Sequence, residues 1–121
     1  MHRQLVGLLG LGLAAVLLVG CSDAAQDVKQ DATVTSCINP DDGTPMRAEG
    51  TVVNRSSETS NFLIRITYYD AAGNQVAEGV DTVTDVEPNA TSPWQSTASN
   101  AAKGQIDCRI VSVRRTVDPL E

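Results

Sequence analysis

The chain has 121 residues, a net charge of −6 and a pI near 4.6, which leaves room for one small domain and too little for a two-domain enzyme. An acidic balance argues against a nucleic-acid binder, whose footprint is basic. The composition is split: seven of nine leucines and the single histidine, His2, fall in residues 1–20, whereas the 101 residues from Cys21 onward hold eleven valines and eleven threonines.

Arg3 precedes an apolar run of fifteen residues, Leu5 to Val19. That length suits the apolar region of a signal peptide and falls short of the roughly 20 residues that span a bilayer. The run ends in Leu18-Val19-Gly20-Cys21, which resembles a bacterial lipobox. Small residues there let the chain lie extended in a peptidase cleft, and the Cys21 thiol is the nucleophile that takes a diacylglyceryl group. Residues 1–20 are therefore expected to be a lipoprotein signal peptide and Cys21 the lipidated residue. The chain is expected to be exported, lipid-anchored on the outer face of the cell membrane or to an envelope membrane facing the periplasm. Two or three acyl chains hold firmly, at about 0.8 kcal/mol per buried methylene.

Two cysteines remain, Cys37 and Cys108. In an oxidising compartment an even pair in a small domain reads as one structural disulfide. A zinc site needs further Cys or His ligands, which the sequence after Cys21 lacks, and there is no C-x-x-C.

Residues 21–31, polar after the cysteine, read as a flexible tether. Valine- and threonine-rich runs then alternate with turn signals. Thr33 to Ile38 ends at Asn39-Pro40-Asp41-Asp42-Gly43, and Arg47 to Val53 ends at a polar stretch from Asn54 to Asn61. In Phe62 to Tyr69, residues Phe62, Ile64, Ile66 and Tyr68 share one face and Leu63, Arg65, Thr67 and Tyr69 the other, the period of a half-buried strand. Asp70 to Asn74 makes a hairpin loop in which Gly73 is free to take positive φ. Gln75 to Val86 is one long or broken strand, Glu87-Pro88-Asn89-Ala90 turns, Thr91 to Thr97 carries Trp94, and Gln105 to Val117 is the last strand. Ala98 to Gly104 is too short and polar for more than one helical turn. The expected fold is all-β: an antiparallel sandwich of six or seven strands over residues 32–117, with the disulfide joining its first and last strands and a short tail at 118–121. An up-and-down barrel is the competing architecture.

Gly50-Thr51-Val52-Val53-Asn54, Ile66-Thr67-Tyr68-Tyr69-Asp70, Gly73, Val76, Val86, Pro88 and Trp94 resemble the FxLYD domain of bacterial secreted proteins and lipoproteins. Tyr69 and Asp70 match the motif, while Ile66 stands for its phenylalanine and Tyr68 for its leucine. The resemblance covers about Ala32 to Val117 and implies an immunoglobulin-like fold. It implies no catalytic residues.

Without a histidine after Cys21 there is no Ser-His-Asp triad, no Cys-His nucleophile and no histidine metal site, so no cofactor or metal is expected. Alternation places Asp81 and Asp85 on one face, as part of a solvated acidic surface rather than a catalytic pair. Asp41-Asp42-Gly43 lacks calcium-loop spacing and reads as a type I turn. Asn54-Arg55-Ser56 and Asn89-Ala90-Thr91 match the glycosylation sequon. Tyr69, Trp94, Arg114 and Arg115 are the candidate binding residues: exposed aromatics anchor partners, and the arginines suit anionic groups. For Trp94 the core is the preferred place and binding the lesser reading, because the chain has few large side chains. For Arg109, Arg114 and Arg115 the preferred reading is charge that protects an edge strand, with contact to anionic headgroups or a partner the lesser one. The sequence thus points to a non-enzymatic envelope module. It binds the membrane through Cys21 and docks a protein partner by strand addition along Gln105–Val117. The alternative is a solute-binding lipoprotein with an apolar pocket lined by Tyr68, Tyr69 or Trp94.

Overall fold

The computed structural model describes residues 26–117. The expected signal peptide at residues 1–20, the lipidation expected at Cys21 and the tail at 118–121 lie outside them. Seven strands form: β1 (Gln26–Asp27), β2 (Ala32–Ile38), β3 (Arg47–Val53), β4 (Ser60–Asp70), β5 (Gln75–Val86), β6 (Thr91–Thr97) and β7 (Ile106–Thr116), with one 3-10 turn at Lys29–Asp31. They build two antiparallel sheets, ordered β1-β7-β4-β5 and β2-β3-β6, packed face to face as an immunoglobulin-like sandwich.

The core follows from alternation. Phe62, Ile64, Ile66 and Tyr68 of β4 are at most 1% exposed and meet Ala48 and Val52 of β3, Trp94 of β6 and Val113 of β7. Apolar burial of this kind stabilises the fold at about 25 cal/mol per Å² removed from water. Gly50 makes room for the one tryptophan: a Cβ there would overlap the Thr33 carbonyl oxygen and come within 2.6 Å of the Trp94 ring. The indole is then satisfied by donating its Nε1 proton to the Thr51 carbonyl at 3.0 Å.

Cys37 of β2 and Cys108 of β7 are disulfide-bonded, with their Cα atoms 5.7 Å apart. The bridge ties one sheet to the other. Across the opposite seam, the Asp81 carboxylate of β5 accepts the Gln95 amide of β6 at 2.8 Å, and the Ser99 amide donates to the Glu78 carbonyl at 2.8 Å. An inward-turned carboxylate of this kind covers an otherwise bare strand edge.

Several local expectations change. Gln26 and Asp27 pair with Arg115 and Arg114, and the Val28 amide donates to the Val113 carbonyl at 2.7 Å. The domain therefore begins inside the stretch read as a tether, because backbone pairing needs no apolar side chains to announce it. A bulge breaks the alternation of β5, with Ser60 opposite Val86 and Phe62 opposite Val83. Asp85 sits in it at φ 57°, its amide held by the Asn61 side chain, so Asp81 and Asp85 do not form the common face expected of them. Asp41 (φ 58°) and Gly43 (φ 94°) rule out a type I turn. Instead Asn39 Oδ1 accepts the Asp41 amide and Asp42 Oδ1 accepts both the amide and hydroxyl of Thr44. The Thr44 hydroxyl first, and then its amide, hold the Asp42 carboxyl below its ordinary pKa.

Candidate interaction surface

The outward half of β4's alternation sets the outer face of the larger sheet. Leu63, Arg65, Thr67 and Tyr69 stand opposite Thr82, Val80, Glu78 and Gln75 on β5. On the other side they meet Arg114, Ser112, Arg109 and Asp107 of β7. A register shift between Arg65 and Ile66 leaves Val111 without a partner and 49% exposed, and Val80 is 51% exposed. The face thus combines an aromatic ring, aliphatic groups and three arginines, residue types enriched where proteins meet partners.

At its end beside the Asp70–Asn74 turn, the Arg109 guanidinium lies 4.7 Å from the centre of the Tyr69 ring. Arg109 Nε is held at 2.7 Å by Asp107 Oδ2, and this bond raises the pKa of an arginine already fully cationic. Both ion partners are more than half exposed, so the bond adds little to stability and mainly fixes where the guanidinium stands. Tyr69, Asp70, Gly73, Gln105, Ile106, Asp107 and Arg109 surround an open depression of about 330 Å³. The adjoining turn is closed by its own first side chain: Asp70 Oδ1 accepts the Ala72 and Asn74 amides, and Gly73 takes φ 89° as its sequence position implied. The Asn74 amide, first among several donors, holds the Asp70 carboxyl below its ordinary pKa.

At the other end of the face, Asp27, Leu63, Arg65, Ser112 and Arg114 line a second depression of about 570 Å³. Among the described residues neither Arg65 nor Arg114 has an acidic partner in ion-pair reach. The outer face of the smaller sheet differs. Its shallow depression of about 530 Å³ is lined mainly by Thr35, Glu49, Thr51, Asp81, Pro93 and Gln95.

Of the four candidate binding residues, the fold brings Tyr69 and Arg114 to one face and removes the other two from it. Trp94 is 3% exposed and belongs to the core. Arg115 donates to Ser60 Oγ at 2.9 Å and to Gln26 Oε1 at 3.1 Å, tying three strands together. Tyr68 is fully buried and donates to the Ser96 carbonyl at 3.0 Å, so it lines no apolar pocket with Tyr69. Asn54 is also fully buried: its Nδ2 donates to the Glu58 carbonyl in its own loop and to the Val86 carbonyl at the end of β5, which ties that loop to the strand and leaves its side chain closed to a glycan. Arg65 and Arg109 complete the surface. Arg65 was legible as an outward neighbour of Tyr69, whereas the stacking of Arg109 depends on strand register across some forty residues of chain.

No family model, curated protein or solved structure matches the chain. Among the described residues there is no cluster of His, Cys, Asp and Glu able to hold a metal, and no helix long and apolar enough to cross a membrane.

Proposed function

We propose that this chain is a lipid-anchored envelope protein of FxLYD type, held by a lipid on Cys21, whose sandwich is a non-catalytic docking module. The observation that carries this reading is the Tyr69–Arg109 platform. An arginine pinned over an aromatic ring is ordered before binding, so little side-chain entropy is lost on contact. Strand addition along Gln105–Val117 is a poorer route to the partner. The N-terminal segment already covers Val113 to Arg115, and the disulfide holds β2 against β7 at Cys108. Docking by the sheet face replaces it.

The test is site-specific photo-crosslinking in native cells. A photoreactive residue at Gln105, beside the platform, is expected to capture one dominant protein, while the same group at Thr35 on the smaller sheet captures none. Arg109→Ala in the Gln105 background should reduce capture about tenfold, the loss of roughly 1.4 kcal/mol expected at an interface anchor. Equal capture from both faces would refute the assignment of the face. A small molecule retained in place of a protein would favour solute binding.

A further inference from the structure

The second depression has an occupant of different chemistry. We propose that Arg65 and Arg114 form a docking site for the phosphates of anionic phospholipid headgroups, fixing how the anchored domain stands on its membrane. This rests on the reading that Cys21 is lipidated.

Position is the first argument. Arg114 pairs with Asp27, which follows Cys21 by six residues. At roughly 3.3–3.6 Å per extended residue, Asp27 is never more than about 21 Å from the anchor. The Tyr69–Arg109 platform lies at the other end of the strands, since Gln26 stands at the Arg115 end of β7 and Tyr69 is opposite Asp107 near its start. Of all partners, the lipid surface is the one that the chain length keeps within reach of this depression.

Charge is the second. Arg65 faces Ser112, and Arg114 follows two positions along the same strand, so the two guanidinium groups are diagonal neighbours on one face. Asp27 is the one carboxylate lining the depression, and its Oδ1 accepts the Val113 amide at 3.3 Å. Two neighbouring cations without acidic partners repel each other, and a phosphate between them relieves that repulsion through paired N–H···O bonds. Leu63 in the depression and the exposed Val80 and Val111 suit the boundary between headgroups and acyl chains. A second copy is a poor occupant, because it would set these arginines against its own. The acidic balance, −6 for the whole chain and −7 once residues 1–20 with Arg3 are removed, opposes approach to an anionic surface, but the anchor holds the patch within a few Debye lengths, where local contacts decide.

The test uses the full-length protein, purified with its lipid and placed in nanodiscs carrying a paramagnetic headgroup label. Nanodiscs of phosphatidylcholine alone are compared with nanodiscs containing phosphatidylglycerol. Amide signals of Leu63–Arg65 and Ser112–Arg114 should broaden when phosphatidylglycerol is present, those of Thr35 and Tyr69 should not, and high salt should reverse the effect. The double variant Arg65→Gln/Arg114→Gln should lose at least four-fifths of the broadening while its melting temperature is unchanged. Equal broadening on both lipids, or broadening that survives the double substitution, overturns the proposal. The mass of the Cys21 peptide tests the anchor separately. An unmodified Cys21 overturns the anchored reading and this one with it, whereas a lipidated Cys21 with no lipid-dependent signal overturns this one alone.

Discussion

Tyr68 shows at the residue scale how one side chain serves both packing and polarity. Its ring is fully buried, and its hydroxyl donates to the Ser96 carbonyl across the sandwich. Burial raises the phenol pKa, because a phenolate would lose its water. An acid whose folded pKa is raised adds stability that is present below the unfolded value, about 10, and is lost as pH rises toward the folded value. The melting temperature should therefore fall on the alkaline side. In Tyr68→Phe that fall should be shallower, with about 0.5–1.5 kcal/mol lost at neutral pH from the missing hydrogen bond. Melting followed by circular dichroism from pH 7 to about 11 decides it, and an identical alkaline limb in the variant would exclude Tyr68 as the cause. The burial of Tyr68 was legible, since it shares alternation with Phe62, Ile64 and Ile66. The burial of Asn54 was not, because the bonds to Ser56 and Glu58 are local but what closes over it is distant in the chain: the Val86 carbonyl and the backbone of Asn89 and Ala90.

Six of the seven strands were legible at the scale of elements, and their ends moved by no more than two residues, because turn residues mark where pairing stops. The exception is β1. Gln26-Asp27 carries no alternation, and what makes it a strand is the bare edge of β7 that it pairs with. The turn that follows buries the Asp31 carboxylate, 3.2 Å from the largely exposed Arg55. Deleting residues 26–31 should therefore cost about 1–3 kcal/mol in urea unfolding, as a lost set of buried polar contacts does. It should also promote self-association, since the uncovered strand is a template for pairing. A merely flexible tether predicts unchanged stability and a monomer in sedimentation.

For the whole molecule, two sheets bury one core and two seams close it, one covalent and one polar. The disulfide spans 71 positions, and in the chain-entropy model a loop of that size stabilises by about 4 kcal/mol. For a domain of this length that corresponds to roughly 15–30 °C in melting temperature. Reduction, or Cys37→Ala with Cys108→Ala, should lower the melting point by that order. A shift of a few degrees would mean that the Asp81–Gln95 seam and the core hold the sheets together without it.

The sequence by itself determined what depends on neighbours along the chain: the all-β class, the strand lengths, the buried face of β4 and the pairing of the last two cysteines. Each follows from a period of two, a turn residue or a count. Tertiary structure decided everything that depends on register between distant strands. It sent Arg115 into structural contacts, turned the supposed tether into part of a sheet, and broke the Asp81–Asp85 alignment with a bulge; the burial of Trp94 was already the preferred sequence reading. It also placed Arg109 over Tyr69 and Arg65 beside Arg114. A side chain's face is written locally, but its neighbours across the sheet are set by which strands pair and where the bulges fall.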